Sequence, residues 1–188
     1  MRKELKIFDI DETLFETTAK IRVLKDGKVV QTLSNQEYNN YILNDGESFD
    51  YAEFKDAQKF FDESKPIVEI LEAAKKEIND PTKIVKIVTA RADFDDKEKF
   101  LDTFRKHGVD IDKCHVYRVG NMDLNCRAAT KKKILIREMV KELECYSVSL
   151  FDDSIENLNE FLNLGAEFVG VNFDAQLASE GRLVKYDL

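Results

Sequence analysis

The chain predicts an α/β fold in which a parallel sheet carries helices on both faces. Three observations lead there. Short apolar, β-branched runs recur at Leu5–Ile10, Ile84–Ala90, Cys114–Val119, Ser147–Asp152 and Phe168–Phe173. Stretches with the apolar spacing of amphipathic helices lie between them, and this alternation is what a helix-covered parallel sheet requires. Polar residues that can do chemistry close three of the runs, as Asp9-Ile10-Asp11, Thr89-Ala90-Arg91 and Asp152-Asp153-Ser154. Ligands of open parallel sheets sit outside the carboxyl ends of the strands.

The helices follow in order. Over Lys65–Ile78, Pro66 stands near a helix start and Ile67, Ile70, Leu71 and Ala74 form one stripe. Asp95–His107 carries Phe100, Leu101 and Phe104, with Gly108 suited to the C-terminal cap. Ala128–Leu143 carries Leu135, Ile136, Met139, Val140 and Leu143, and Ser154–Leu164 ends at Gly165. The stretch between Phe15 and Ser64 is too long for a simple crossover, so residues 16–64 read as an insertion. Within it, Lys20–Leu33 reads as a hairpin turning at Asp26-Gly27. Ser34-Asn35-Gln36-Glu37 is a capping box that opens a short helix through Tyr38 and Tyr41. Asp50–Phe61 reads as a second helix, with Phe54, Ala57, Phe60 and Phe61 on one side. No internal repeat or Pro/Gly-rich linker divides the chain, so residues 1–188 read as one domain with a small cap or flap.

Composition narrows the function classes. With 29 Lys+Arg against 37 Asp+Glu the net charge is −8, which disfavours nucleic-acid binding by global charge. A local basic run remains at Arg127, Lys131, Lys132, Lys133, Arg137 and Lys141, with Glu138 as its one acid. Apolar runs fall far short of the ~20 residues that cross a bilayer, and the charged start holds no signal-peptide core. A cytoplasmic protein is expected. Cys114, Cys126 and Cys145 lack ligand spacing, so they read as reduced thiols and zinc is not expected.

Asp9, Asp11, Asp152 and Asp153 would converge on one edge of the sheet, which like-charge repulsion disfavours without a cation. Mg²⁺ suits such oxygen donors and commonly works with a phosphate. Taken singly, Asp9, Asp11 and Thr13 read as a turn and helix cap, Thr89 as a strand-end hydroxyl and Arg91 as a surface charge. Together they read as a site. Lys131, Lys132 and Lys133 stand at the positive end of a helix dipole, where something anionic would offset them. Helical periodicity puts Lys132 on the face of Ile136, Met139 and Leu143, and Lys133 is the next choice.

LKIFDIDETLF, IVKIVTAR, a lysine early in a later helix and VSLFDDSIENL resemble the four ordered motifs of the haloacid dehalogenase (HAD) superfamily. The resemblance spans residues 5 to about 173. It implies a HAD-type Rossmannoid three-layer sandwich, with a five-stranded parallel sheet, a central first strand and a small cap. It also implies a Mg²⁺-dependent phosphomonoesterase. Asp9 would be the nucleophile that becomes an aspartyl phosphate, and Asp11 the general acid and then base. Thr89, Ala90, Arg91 and Lys132 would bind the phosphoryl group, with Thr89 and Lys132 also stabilising its charge during transfer. Asp9, the Asp11 carbonyl, Asp152 and Asp153, the last directly or through water, would hold Mg²⁺. The family's usual glycine is replaced by Glu12.

A looser likeness, in Thr89-Ala90-Arg91 and the Asp152-Asp153 pair, is to the 3′-phosphatase domain of phage polynucleotide kinases and to small phage-encoded HAD proteins. The expected substrate is therefore a nucleotide or a polynucleotide 3′ end. The basic run could meet flanking phosphates, and Tyr38, Tyr41, Phe54 and Phe60 either stack a base or pack the lid. Alternatives are another small phosphorylated metabolite, or a phosphate-binding scaffold without turnover. A phosphate-sensing receiver would need an aspartate after the third strand, where Val119-Gly120-Asn121 stands. No membrane or obligate protein partner is expected.

Overall fold

The computed structural model describes residues 3–188, and within them the chain forms a mixed α/β structure around a six-stranded sheet. The strands of this sheet are β1 (Glu4–Phe8), β7 (Lys83–Thr89), β8 (His115–Arg118), β9 (Ser147–Asp152), β10 (Asn172–Ser179) and β11 (Arg182–Tyr186), in the order β11-β10-β9-β1-β7-β8. The first five run parallel and β11 pairs antiparallel with β10.

The expected five-stranded sheet is thus corrected to six. Glu180 and Gly181 both take positive φ (50° and 78°), the backbone of a tight hairpin turn, and this folds the C-terminal strand back onto the edge. The last parallel strand is also displaced, from the expected Phe168–Phe173 to Asn172–Ser179. Gly170, at φ 86°, breaks the apolar run, and Val169 beside it stands 98% exposed.

Residues alternate across the sheet. Leu5 and Ile7 of β1 join Val88, Val148 and Leu150 against α5 (Ala128–Leu143) and α6 (Ile155–Leu162), through Ile136, Met139, Val140, Leu158 and Phe161. Phe8, Val85, Ile87 and Phe151 face the other way, toward Ile70, Leu71 and Ala74 of α3 (Val68–Asn79) and Phe100 and Phe104 of α4 (Lys97–Lys106). Both faces are therefore covered, and the period of two along each strand is the cause. Among the described residues no helix is long and apolar enough to cross a membrane.

The insertion is closed at its base by β2 (Phe15–Glu16) pairing with β6 (Lys65–Pro66). Pro66 therefore sits in a short strand, where its fixed φ is equally at home, and α3 starts later than expected, at Val68. Beyond the stalk, β3 (Ile21–Lys25) pairs with β4 (Lys28–Leu33) through the turn at Asp26-Gly27, both residues at positive φ. The capping box forms, with Ser34 Oγ accepting from Glu37 N and a Glu37 carboxylate oxygen accepting from Ser34 N, and it starts α1 (Asn35–Asn40).

The single helix expected over Asp50–Phe61 is corrected to three pieces. β5 (Glu47–Asp50) completes the flap sheet on β3, a 3₁₀ turn covers Ala52–Lys55, and α2 (Ala57–Glu63) starts where Asp56 caps Lys59 N. The flap sheet has its own small core of Ile21, Val23 and Leu33 with Tyr38, Tyr41, Phe49 and Phe54. By contrast, Ala57 and Phe60 of α2 pack into the main core. The flap is moored at both ends.

Phe8 and Phe151 stack across β1 and β9 with centroids 4.2 Å apart and planes 6° from parallel, directly before Asp9 and Asp152. Phe8→Ala should therefore lower stability by ~3–5 kcal/mol, read by urea denaturation as a lower midpoint with unchanged slope; a loss under ~1 kcal/mol would mean the pair does not anchor this edge.

Candidate active site

Strand register builds the site. Phe8 is level with Phe151 on one neighbour and with Ile87 on the other, so the chain leaves β1 with Asp9 beside Asp152, and Thr89 lies one step further along β7. Between β1 and β9 the order of strands reverses direction, since the chain runs β1, β7, β8 to one side and then crosses to β9 and β10. Such a switch point opens a crevice at the carboxyl ends of the strands. Asp9 N donates to Phe151 O at 3.0 Å, holding the loop in register as it leaves the sheet. Residues Thr13, Leu14 and Phe15 then turn their amides onto Ile10 O, making one tight loop. Glu12 takes φ 60° there, and its Oε1 accepts from Thr17 N at 3.1 Å, so the side chain that replaces the expected glycine braces the base of the flap.

Lys132 enters from the opposite face of the sheet. It lies on the buried side of α5 with Ala129, Ile136 and Met139, is 2% exposed, and donates to Asp9 Oδ1 at 2.7 Å and Asp152 Oδ2 at 2.8 Å. Its neighbours turn elsewhere: Lys131 Nζ donates to Met122 O and Lys133 pairs with Glu160. Asp153 completes the acidic set, since a carboxylate oxygen from each of Asp9, Asp152 and Asp153 lies within 4.8 Å of the others. Three hard oxygen donors at that separation fit a small divalent cation such as Mg²⁺.

Electrostatics follow from crowding. Burial, and then the charge of Asp152 and Asp11, push the Asp9 carboxyl up to about 7 against the pull of Lys132. Burial, then Asp9 and Asp152, push Asp153 up to about 8. Burial opposes the charge of Lys132, but the Asp152 and Asp9 carboxylates outweigh it and hold the ammonium above its ordinary value. Removing one partner of a buried ion pair of this kind typically costs ~3–5 kcal/mol.

Thr89 is fully buried, and its Oγ1 accepts from Arg91 N at 3.2 Å; Ala90 is exposed at the crevice. Arg91, 4% exposed, turns away from Asp9 and forks onto Asp11, with Nε to Oδ2 at 2.9 Å and a terminal nitrogen to Oδ1 at 2.6 Å. The structure thus gathers Asp9, Lys132, Asp152 and Asp153 in one cluster, and sets Asp11 with Arg91 beside it under the flap.

Two supporting residues escaped the sequence reading. Asn157 Nδ2 donates to both oxygens of Asp152, at 2.9 and 3.0 Å, and Ser154 N adds a third bond. The signal was the cap itself, because Ser154 followed three residues later by Asn157 starts α6 beside the acid pair. Gly120 is the other. Its N–H donates to Arg91 O at 3.1 Å, and a Cβ built there would lie 2.7 Å from Ala90 O and Ala92 N. No local pattern announces that contact, which exists only once β7 and β8 are paired.

Around the site, the basic run of α5 is largely neutralised. Arg127 pairs with Glu156, Arg137 with Glu167 and Lys141 with Glu138. The flap rings pack as well: Tyr38 and Tyr41 lie against Phe49, and Phe60 against Phe15 and Phe100. A cavity of about 180 Å³ remains between the loop after β1 and the flap, lined by Glu12, Thr17, Lys20, Ser34, Asn35 and Gln36 among others.

Comparison of the chain with protein-family models, with curated proteins and with solved structures finds no match.

Two measurements test this geometry. Gly120→Ala leaves no room for its methyl group against backbone, so it should lower Tm and speed hydrogen exchange at residues 89–93; wild-type exchange there would show the contact to be slack. Mg²⁺ binding should release protons. The carboxyls of Asp9 and Asp153, raised to about 7 and 8, hold protons in the fold that the unfolded chain has lost. The stability these two groups contribute without Mg²⁺ is therefore fully present below their unfolded values and is lost as pH rises toward 8. Mg²⁺, which needs the ionised forms, should bind tighter from pH 6 to 8 and raise Tm most at the alkaline end. Calorimetry showing no proton release near pH 7 would contradict it.

Proposed function

We propose that this protein is a HAD-type, Mg²⁺-dependent phosphomonoesterase working through an aspartyl-phosphate intermediate, with residues 16–64 as its flap. The observation that carries the reading is Lys132 held between Asp9 and Asp152, with Asp153 in reach of both acids. A buried lysine bridging a strand-end aspartate to a second acid on the next strand is costly as architecture and suited to an anionic substrate. Free thiols at Cys114, Cys126 and Cys145 fit a cytoplasmic setting.

Asp9 has the stance of a nucleophile. Lys132 holds its Oδ1, and among the described residues its Oδ2 accepts no hydrogen bond. Oδ2 would attack phosphorus in line, forming an O–P bond as the ester O–P bond breaks. Asp11 would give its proton to the departing alkoxide, then take one from the water that releases inorganic phosphate. Lys132 and the Thr89 hydroxyl would stabilise the equatorial oxygens. Asp9, the Asp11 carbonyl, Asp152 and Asp153 would hold Mg²⁺, which when bound would offset the carboxylates and polarise a phosphoryl oxygen.

For the substrate, the ion pairs along α5 and the packed flap rings favour a small phosphorylated molecule, a nucleotide included, over a polynucleotide end.

A phosphate-release screen with Mg²⁺ over sugar phosphates, 5′- and 3′-nucleotides and 3′-phosphorylated oligonucleotides tests this reading. Asp9→Asn should abolish release with the fold intact by circular dichroism. Asp11→Asn should slow hydrolysis of alkyl esters by ~10²–10⁴-fold, the range of general acid–base catalysis. No release from any ester, or full activity in Asp9→Asn, would overturn the proposal.

A further inference from the structure

Arg91 spends its donors on two different parts of the molecule. Toward the catalytic loop, Nε lies 2.9 Å from Asp11 Oδ2 and a terminal nitrogen 2.6 Å from Asp11 Oδ1. Toward the flap, the same terminal nitrogen donates to Thr17 Oγ1 at 3.1 Å and the other donates to Phe54 O at 3.0 Å. The guanidinium carbon is 5.0, 4.7 and 5.6 Å from the ring centroids of Phe54, Phe60 and Phe94, a cage contributed by the flap, α2 and the loop after β7. Its own backbone is pinned by Thr89 Oγ1 and by Gly120 N.

A planar guanidinium cannot tilt toward one partner without misaligning the others. If the flap lifts, Phe54 O and Thr17 Oγ1 withdraw, and a buried cation is left with unsatisfied N–H groups unless it turns, carrying the Asp11 carboxylate with it. Direct capture of a substrate phosphate by Arg91 would require breaking this same fork.

We propose that Arg91 is a positioning residue, not a phosphate ligand: it ties the orientation of the Asp11 carboxylate to the seat of the flap through Thr17 and Phe54. Proton transfer to the leaving group is then competent only while the flap is seated. This rests on the phosphomonoesterase reading above for its catalytic consequence, while the mechanical coupling stands on the geometry alone.

The test has two arms. In the first, wild type and Arg91→Lys hydrolyse p-nitrophenyl phosphate, whose leaving group needs little protonation, and an alkyl phosphate, whose leaving group needs it fully. Lysine keeps the charge and loses the fork, so kcat on the alkyl ester should fall by ~10–100-fold, with p-nitrophenyl phosphate far less affected and KM nearly unchanged for both. An equal rise in KM for both esters would make Arg91 a phosphate ligand and overturn the proposal. If Arg91→Lys does not fold, Thr17→Val, which deletes one hydroxyl, should show the same split at smaller size, and no split overturns it.

The second arm needs no turnover. In Asp11→Asn, hydrogen exchange across residues 17–23 and 52–56 should be faster than in wild type, because the flap's tie has lost one side of its fork. Unchanged exchange there overturns the coupling. A wild-type protein inactive on every ester would remove the phosphomonoesterase reading, and the exchange arm would still decide whether Arg91 joins Asp11 to the flap.

Discussion

Three carboxylates within ligand distance of one another at the edge of a sheet are a problem before they are a site. The register of β1 against β9 places Asp9 and Asp152 side by side, and the chain carries Asp153 straight on from there. Water cannot screen groups this buried, so the cost is met locally by other means. Lys132 reaches in from α5, Asn157 and Ser154 N hold Asp152, and the carboxyls of Asp9 and Asp153 retain protons well above their ordinary range. Much of the architecture serves that end. The helix α5 must lie so that its second turn meets the carboxyl edge of the sheet, and α6 must begin right after β9.

The flap is a second constraint, coupled to the first through Asp11. It is not an independent lobe, since its last helix α2 shares Phe60 with the main core and its first strand is tethered through the β2–β6 stalk. Between these restraints lies the three-stranded sheet, and Thr17, on the segment that leads into it, is held by Glu12 and Arg91. Glu12 holds a backbone conformation that costs an L-residue roughly 1–2 kcal/mol. A side chain at that position earns its place by bonding Thr17 N, which glycine could not do.

How much of this was legible in the sequence depended on range. Alternating apolar runs located four of the five parallel strands closely, because period-two burial is written locally in Leu5 and Ile7 or in Val148 and Leu150. The capping box at Ser34 and Glu37 and the turn at Asp26-Gly27 were equally local, and both formed. Helical periodicity also sufficed to single out Lys132 among three adjacent lysines, since only that position continues the stripe of Ile136 and Met139. What failed was pairing between distant segments. β10 has too mixed a pattern to stand out, β5 owes its strand state to β3, and β11 exists because β10 offers an edge. Gly120 and the Arg91–Asp11 fork belong to the same class, being contacts between loops that no window of sequence contains. The basic run of α5 misled in the opposite sense: its charge was plain, and the glutamates that neutralise it sit mostly on α6 and the turn after it.

The same electrostatics bear on what the site can accept. A phosphate monoester dianion brought to Asp9, Asp152 and Asp153 would add charge to a cluster in which, among the described residues, Lys132 is the one buried cation. A divalent cation held by these acids would relieve the repulsion that the dianion would suffer, and by linkage the dianion would raise the affinity for the cation by the same factor. A phosphodiester, with one charge fewer, gains less from that exchange and has a bulky second substituent to place beneath a flap moored at both ends. Under the proposed reading, charge balance and the flap together would favour a monoester over a diester, and Arg91, whose donors go to Asp11, Thr17 and Phe54, would do nothing to widen that choice.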